Sequence, residues 1–179
     1  MTTSFKLVAG DAFPTIKANL LDGSTVQLGQ TITEGAAWHM VVVYRGKHCP
    51  LCTRYLNLLE EYKTKLADIG VDVMAVSADS KDQLEEHIQK LNVSFPIAYG
   101  LTEVQMKQLG LYVSMPRHEQ ETDHNFAEPG MFIINEAGTL QSVDISNAPS
   151  LRPELEIVVH GLTFVRSQET YPIRGTVEY

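Results

Sequence analysis

Cysteine is scarce in this chain, with two in 179 residues. That is too few to staple a protein of this size into a disulfide scaffold. Basic residues are also in deficit, 14 Lys and Arg against 22 Asp and Glu, for a formal net charge of −8. Such a balance argues against a nucleic acid or an anionic membrane as partner, because either needs a basic face. No apolar run reaches bilayer-spanning length, and the opening MTTSFKLVAG lacks the charged start, long apolar core and cleavage site of a secretory signal. The expectation is a soluble, cytoplasmic protein. Repeats, low-complexity tracts and Pro/Ser-rich linkers are missing too, so nothing marks a domain boundary. With 44% apolar residues the chain can fill one sizeable core. One domain over residues 1–179 is expected, with 167–179 as a carboxyl-terminal tail.

The pattern alternates strand and helix. After a short start at 5–8 and a strand at 25–28, the Val-rich run 38–44 suits a strand buried on both faces. A helix is predicted from Pro50, since proline is tolerated in a first turn whose N–H groups lack internal partners. Leu51, Tyr55, Leu58, Leu59, Tyr62, Leu66 and Ile69 follow at helical spacing, and Gly70 is placed to end it. A strand at 72–78 precedes a helix opened by Ser80 and Gln83 as a capping box. Then come a short strand at 95–99, a short helix at 102–109 and a polar loop at 114–128. A hairpin of 131–135 and 139–145 around NEAG and a last helix at 151–165 complete the chain. The fold class is α/β, a mixed central sheet flanked by helices.

Both cysteines fall in VVVYRGKHCPLCTRYL, residues 41–56. On this assignment Cys49 ends a buried strand and Cys52 lies in the first helical turn. Unpaired backbone N–H groups and the helix dipole favour an anion there, and Arg45, Lys47 and His48 add positive charge nearby. Thiols so placed have pKa values of ~3.5 to ~7.5 against ~8.5 for free cysteine, and the thiolate is the nucleophile. Two cysteines three positions apart on a helix start can close a disulfide, with Pro50 between them tuning its formation. Three other readings stay open. A zinc site would need two more ligands, and His39, His48, His118 and His124 show no second pair at a recognisable spacing. The thiols could pack as small hydrophobes. A purely structural bridge would close too short a loop to stabilise much.

From Gly10 to about Asn147 the chain resembles the peroxiredoxin-like branch of the alkyl hydroperoxide reductase/thiol-specific antioxidant family. The carrying features are AGDAFP at 9–14, LLDGSTVQL at 20–28, VVVYRGKHCPLC at 41–52 and PGMFIINEAG at 129–138. The resemblance implies a thioredoxin-like fold with an amino-terminal hairpin extension and a redox-active pair. It differs from the peroxide-reducing pattern in telling places. The attacking position falls on Cys52, the Thr position on Cys49, the Pro position on Arg45 and the late Arg position on Pro129. Thioredoxin-like reductases resemble the chain at these points instead, with a nucleophile at Cys49, a resolving Cys52 and a facing proline at Pro129, which implies a cis Glu128–Pro129 bond.

The expected function is therefore thiol–disulfide exchange, with Cys49 attacking and Cys52 resolving. The alternative is hydroperoxide reduction by Cys52 with Cys49 resolving, Arg45 standing in for the missing cation. A second alternative is a binding or metal-holding module on the same fold. Catalytic candidates are Cys49, Cys52, Pro129 and Arg45; substrate-binding candidates are Tyr44, Trp38, His48 and Pro50. No cofactor is implied. A disulfide or hydroperoxide is the expected substrate, thioredoxin or glutathione the expected donor, and a homodimer is implied by the resemblance. Trp38 reads first as core. Loop 115–126, with His118, His124, Glu119, Glu121 and Asp123, reads as a solvated acidic segment leading to Pro129. Tyr171, Pro172, Val177 and Tyr179 suggest a tail that packs.

Overall fold

The Val-rich run becomes strand β3 (Trp38–Val43), every residue of which is buried. Successive side chains alternate, so Met40 and Val42 enter one core and Val41 and Val43 the other. The computed structural model describes residues 5–177. Within them β1 (Lys17–Asn19) and β2 (Thr25–Gln27) form the early hairpin, and α1 (Pro50–Asp68) follows β3. Next come β4 (Val71–Val76), α2 (Lys81–Ile88), β5 (Ile97–Ala98) and α3 (Glu103–Gln108). The chain continues through β6 (Val113–Ser114), β7 (Phe126–Ala127), β8 (Gly130–Ile134), β9 (Leu140–Ile145) and α4 (Leu155–Ser167).

The main sheet has the order β5-β4-β3-β8-β9, parallel at β3/β4 and β4/β5 and antiparallel at β3/β8 and β8/β9. This is a mixed sheet flanked by helices. Leu56, Leu59 and Leu66 of α1, with Leu155, Val159 and Leu162 of α4, pack on one face. Met106 of α3 and Ile16, Ala18 and Leu28 around the early hairpin pack on the other. Ser80 caps α2 as a complete capping box with Gln83, as the sequence predicts.

Several boundaries differ from expectation. Residues 5–8 form no strand. The segment after them is tied to the β8–β9 turn by single bonds, Gly10 N–H to Leu140 O and Phe13 N–H to Gly138 O. The last helix starts at Leu155 rather than 151. Arg152 precedes Pro153, and a residue before proline is biased away from the helical region; the extended stretch this leaves has a use described below. The loop at 114–128 is not fully irregular, since β6 and β7 pair across it. In the tail, Tyr171 meets Phe164 edge-on at 6.0 Å, whereas Val177 is exposed; Tyr179 lies outside the described residues.

Candidate functional site

Strand β3 delivers the chain to a tight turn. Gly46 adopts φ +132°, and a Cβ there would collide with the Asp79 carboxylate, so this position requires glycine. Asp79, fully buried after β4, accepts the Lys47 N–H at 2.8 Å, and Cys49 N–H bonds Gly46 O at 3.2 Å. Burial pushes the Asp79 carboxyl above its usual range. The turn thus sets Cys49 at the N-cap of α1, in extended backbone, where its sulfur accepts the Cys52 N–H at 3.3 Å. Pro50 takes the first helical position, and no acidic residue occupies the first turn. A negative sulfur there meets the positive end of the helix dipole unopposed.

Cys49 and Cys52 are joined as a disulfide, and both are almost completely buried, at 1% and 0% exposure. The nearest cation comes from the other end of the sequence. Arg152 donates from Nη2 to Cys52 Sγ at 2.9 Å and from Nη1 to Pro149 O at 2.7 Å. Its guanidinium lies over the Tyr55 ring, 5.2 Å from the centroid. Burial lowers its pKa to about 10, which leaves it a cation at neutral pH. No carboxylate forms an ion pair with it among the described residues. Tyr55, Arg152 and Pro153 wall a cavity of about 10 Å³ with Pro129, Gly130, Met131, Asp144 and Val42. That is room for roughly one water-sized molecule.

Sequence reasoning missed Arg152. It stands 100 residues from Cys52 in a stretch read as helix, and only its place before Pro153 hinted that it would be extended. Arg45 has other partners. Its Nε lies 3.3 Å from Glu128 and its Nη2 3.5 Å from Glu121, and it stacks over Phe126 at 4.7 Å. Hydrogen bonds from Arg117 hold the Glu121 carboxyl down at about 2, and Ser114 donates to Glu128 at 2.7 Å. The loop read as solvated therefore carries two shielded carboxylates, because Arg45 and Arg117 neutralise them.

Pro129 does line the cavity beside Arg152, but its peptide bond is trans, correcting the expected cis form. Trans is the ground state of an X–Pro bond, and the chain here runs from β7 into β8 within two residues, with no reversal to make. Its carbonyl accepts the Ser146 N–H at 3.1 Å and Glu128 N–H donates to Tyr112 O at 2.8 Å, so these backbone groups are already engaged. His48 stacks on Phe126 at 4.5 Å, and His87 contacts the Thr53 hydroxyl at 2.8 Å; burial lowers both imidazoles to about 4. Tyr44 is buried in the same core cluster as the pair, its ring 5.6 Å from that of His87. Trp38 is not at the site. It opens β3 at the far end, about 20 Å away for six extended residues, bonded through its indole N–H to Glu136 and covered by Arg166. Among the described residues, no group of three or more His, Cys, Asp or Glu is placed to hold a metal ion. Nor does any helix among them have the length and apolarity to cross a membrane.

A disulfide-capable pair on a helix start, fed by a buried strand of a mixed sheet, defines a thiol oxidoreductase. The sequence profile of the AhpC/TSA family matches residues 9–143, and the chain belongs to that family. No curated protein matches it by sequence. Among solved structures it is similar to a peroxiredoxin-like protein from Aquifex aeolicus, at 17% identity and a TM-score of 0.72 over 89% of this chain and 88% of that one. It is also similar to AhpC of Mycobacterium tuberculosis, at 17% identity and 0.72 over 92% and 96%. The reduced 2-Cys peroxiredoxin of Plasmodium vivax aligns at 16% identity and 0.69 over 89% and 82%. At these identities the structural likeness establishes the fold, which is that of the peroxiredoxins.

Proposed function

We propose that the chain is a thiol-dependent hydroperoxide reductase in which Cys52 attacks and Cys49 resolves. The observation that carries this reading is the guanidinium of Arg152 on Cys52 Sγ. In the reduced protein that cation and the helix N-terminus would both stabilise a thiolate at Cys52. The Cys52 thiolate attacks the distal oxygen of ROOH. An S–O bond forms, the O–O bond breaks, and the alkoxide leaves as ROH after taking a proton. The Cys49 thiol then attacks the sulfenic sulfur, forming the disulfide and releasing water. Two donor thiols return the pair to the dithiol and leave as their own disulfide. Because Arg152 makes Cys52 the lower-pKa leaving group, the donor attacks Cys49. Thioredoxin and glutathione are the donor types this reading carries forward, and a homodimer is the assembly.

One test follows alcohol formation from a sub-stoichiometric alkyl hydroperoxide mixed with each reduced variant. Cys49→Ser should yield one alcohol per hydroperoxide added at close to the native rate, and Cys52→Ser should yield it no faster than a free thiol. The reverse dependence would overturn the assignment. A second reading, disulfide exchange started by Cys49, draws support from the backbone N–H that Cys52 gives to the Cys49 sulfur. Against it, the Glu128 N–H and Pro129 carbonyl have partners within the chain, leaving those two groups unavailable to a substrate strand.

A further inference from the structure

Arg152 reaches the sulfur from an extended connection, and a long cationic side chain there has competing destinations. The Asp144 carboxylate, which lines the same cavity, is one of them. Something must hold the guanidinium against Cys52. The contacts identify the holder. Tyr55 stands one helical turn after Cys52 on α1, and residues at that spacing share a face. Its ring lies under the guanidinium, and its hydroxyl donates at 2.9 Å to the carbonyl of Pro153, the residue after Arg152. Burial raises the phenol's pKa, so the hydroxyl stays a donor at neutral pH. One side chain thus fixes both the charged head and the backbone that carries it. Pro149 O takes the remaining edge of the guanidinium at 2.7 Å.

We infer that Tyr55 is a positioning residue, a clamp on α1 that keeps Arg152 on the Cys52 sulfur and so sets the thiolate character of the attacking cysteine. The inference rests on the reading of Cys52 as that cysteine. Helix α1 then carries both the nucleophile and the support for its cation.

The test uses the full chain with Cys49→Ser, leaving Cys52 as the single thiol, and reads its ionisation from the pH dependence of thiolate absorbance. Tyr55→Leu, of similar bulk, should move the midpoint upward by about one pH unit, a tenfold loss of thiolate below it. Tyr55→Phe keeps the ring and should move it by less than half as much. Arg152→Met should move it at least as far as Tyr55→Leu, and adding Tyr55→Leu to Arg152→Met should then change nothing further. A midpoint unmoved in both Tyr55 variants would overturn the proposal. So would an equal shift in the Arg152→Met background, since Tyr55 would then act through the fold alone. If Tyr55→Leu does not fold, Tyr55→Met removes the ring with a more adaptable side chain, and Tyr55→Phe against the native chain still reads the hydroxyl. The ionisation is read without peroxide, so a failure of peroxide reduction would count against the proposed function and leave this result standing.

Discussion

Two arginines divide the electrostatics of the site. Arg45 sits between Glu121 and Glu128, whereas Arg152 reaches the Cys52 sulfur and, among the described residues, has no carboxylate within ion-pair distance. A guanidinium already paired with two carboxylates offers less to a thiolate or a peroxide oxygen than one with no ion pair in contact. Arg152→Met is therefore expected to slow peroxide oxidation of Cys52 by about ten- to a hundredfold, the range of one to two pKa units. Arg45→Met should act mainly by leaving Glu121 and Glu128 without their shared cation, and so lower stability more than it changes the Cys52 ionisation. Stopped-flow oxidation and urea unfolding of the two variants separate these effects, and the opposite pattern would return the cationic role to Arg45. The cysteines themselves were legible in the sequence, because their spacing, the preceding buried strand and Pro50 are local features. Arg152 was not. A contact across 100 residues leaves no periodic trace.

The elements that place the pair were mostly legible, and for stated reasons. β3 announced itself by a run buried on both faces, α1 by Pro50 and its apolar spacing, and α2 by its capping box. Failures came where tertiary contacts decide. Two-residue strands such as β6 and β7 carry too little pattern to read, and α4 starts late because the stretch before it runs extended and carries Arg152 to the sulfur. The turn between β3 and α1 is the element most sensitive to change. Gly46→Ala should cost about 1 to 3 kcal/mol, because it forces a side chain into a left-handed φ and against Asp79. Urea denaturation would measure it, and a variant as stable as the native chain would show that the turn is not the fixed support described.

Across the whole molecule, burial holds His39, His48 and His87 at about 4, well below the ordinary 6.5. The unfolded chain therefore binds protons at these residues before the folded one does. Their contribution to stability is complete above about pH 6.5 and is lost as pH falls towards 4. Asp79, raised by burial, works in the opposite sense and offsets part of this loss. The melting temperature should stay level near neutrality and decline through this window, more gently in His87→Gln; a rise on acidification would contradict the account. The chain's net charge of −8 adds a general expectation about encounter, since an uncharged hydroperoxide approaches it without the repulsion an anionic one meets.

The central claim is that Cys52, not Cys49, meets the peroxide. The direct measurement treats reduced Cys49→Ser and Cys52→Ser proteins briefly with low hydroperoxide in the presence of a sulfenic-acid trap and weighs the products. The account requires the trapped adduct on Cys52 in the first variant, formed far faster than on a free thiol, and none beyond background on Cys49 in the second. An adduct that favours Cys49, or that forms on neither cysteine faster than on a free thiol, would contradict it.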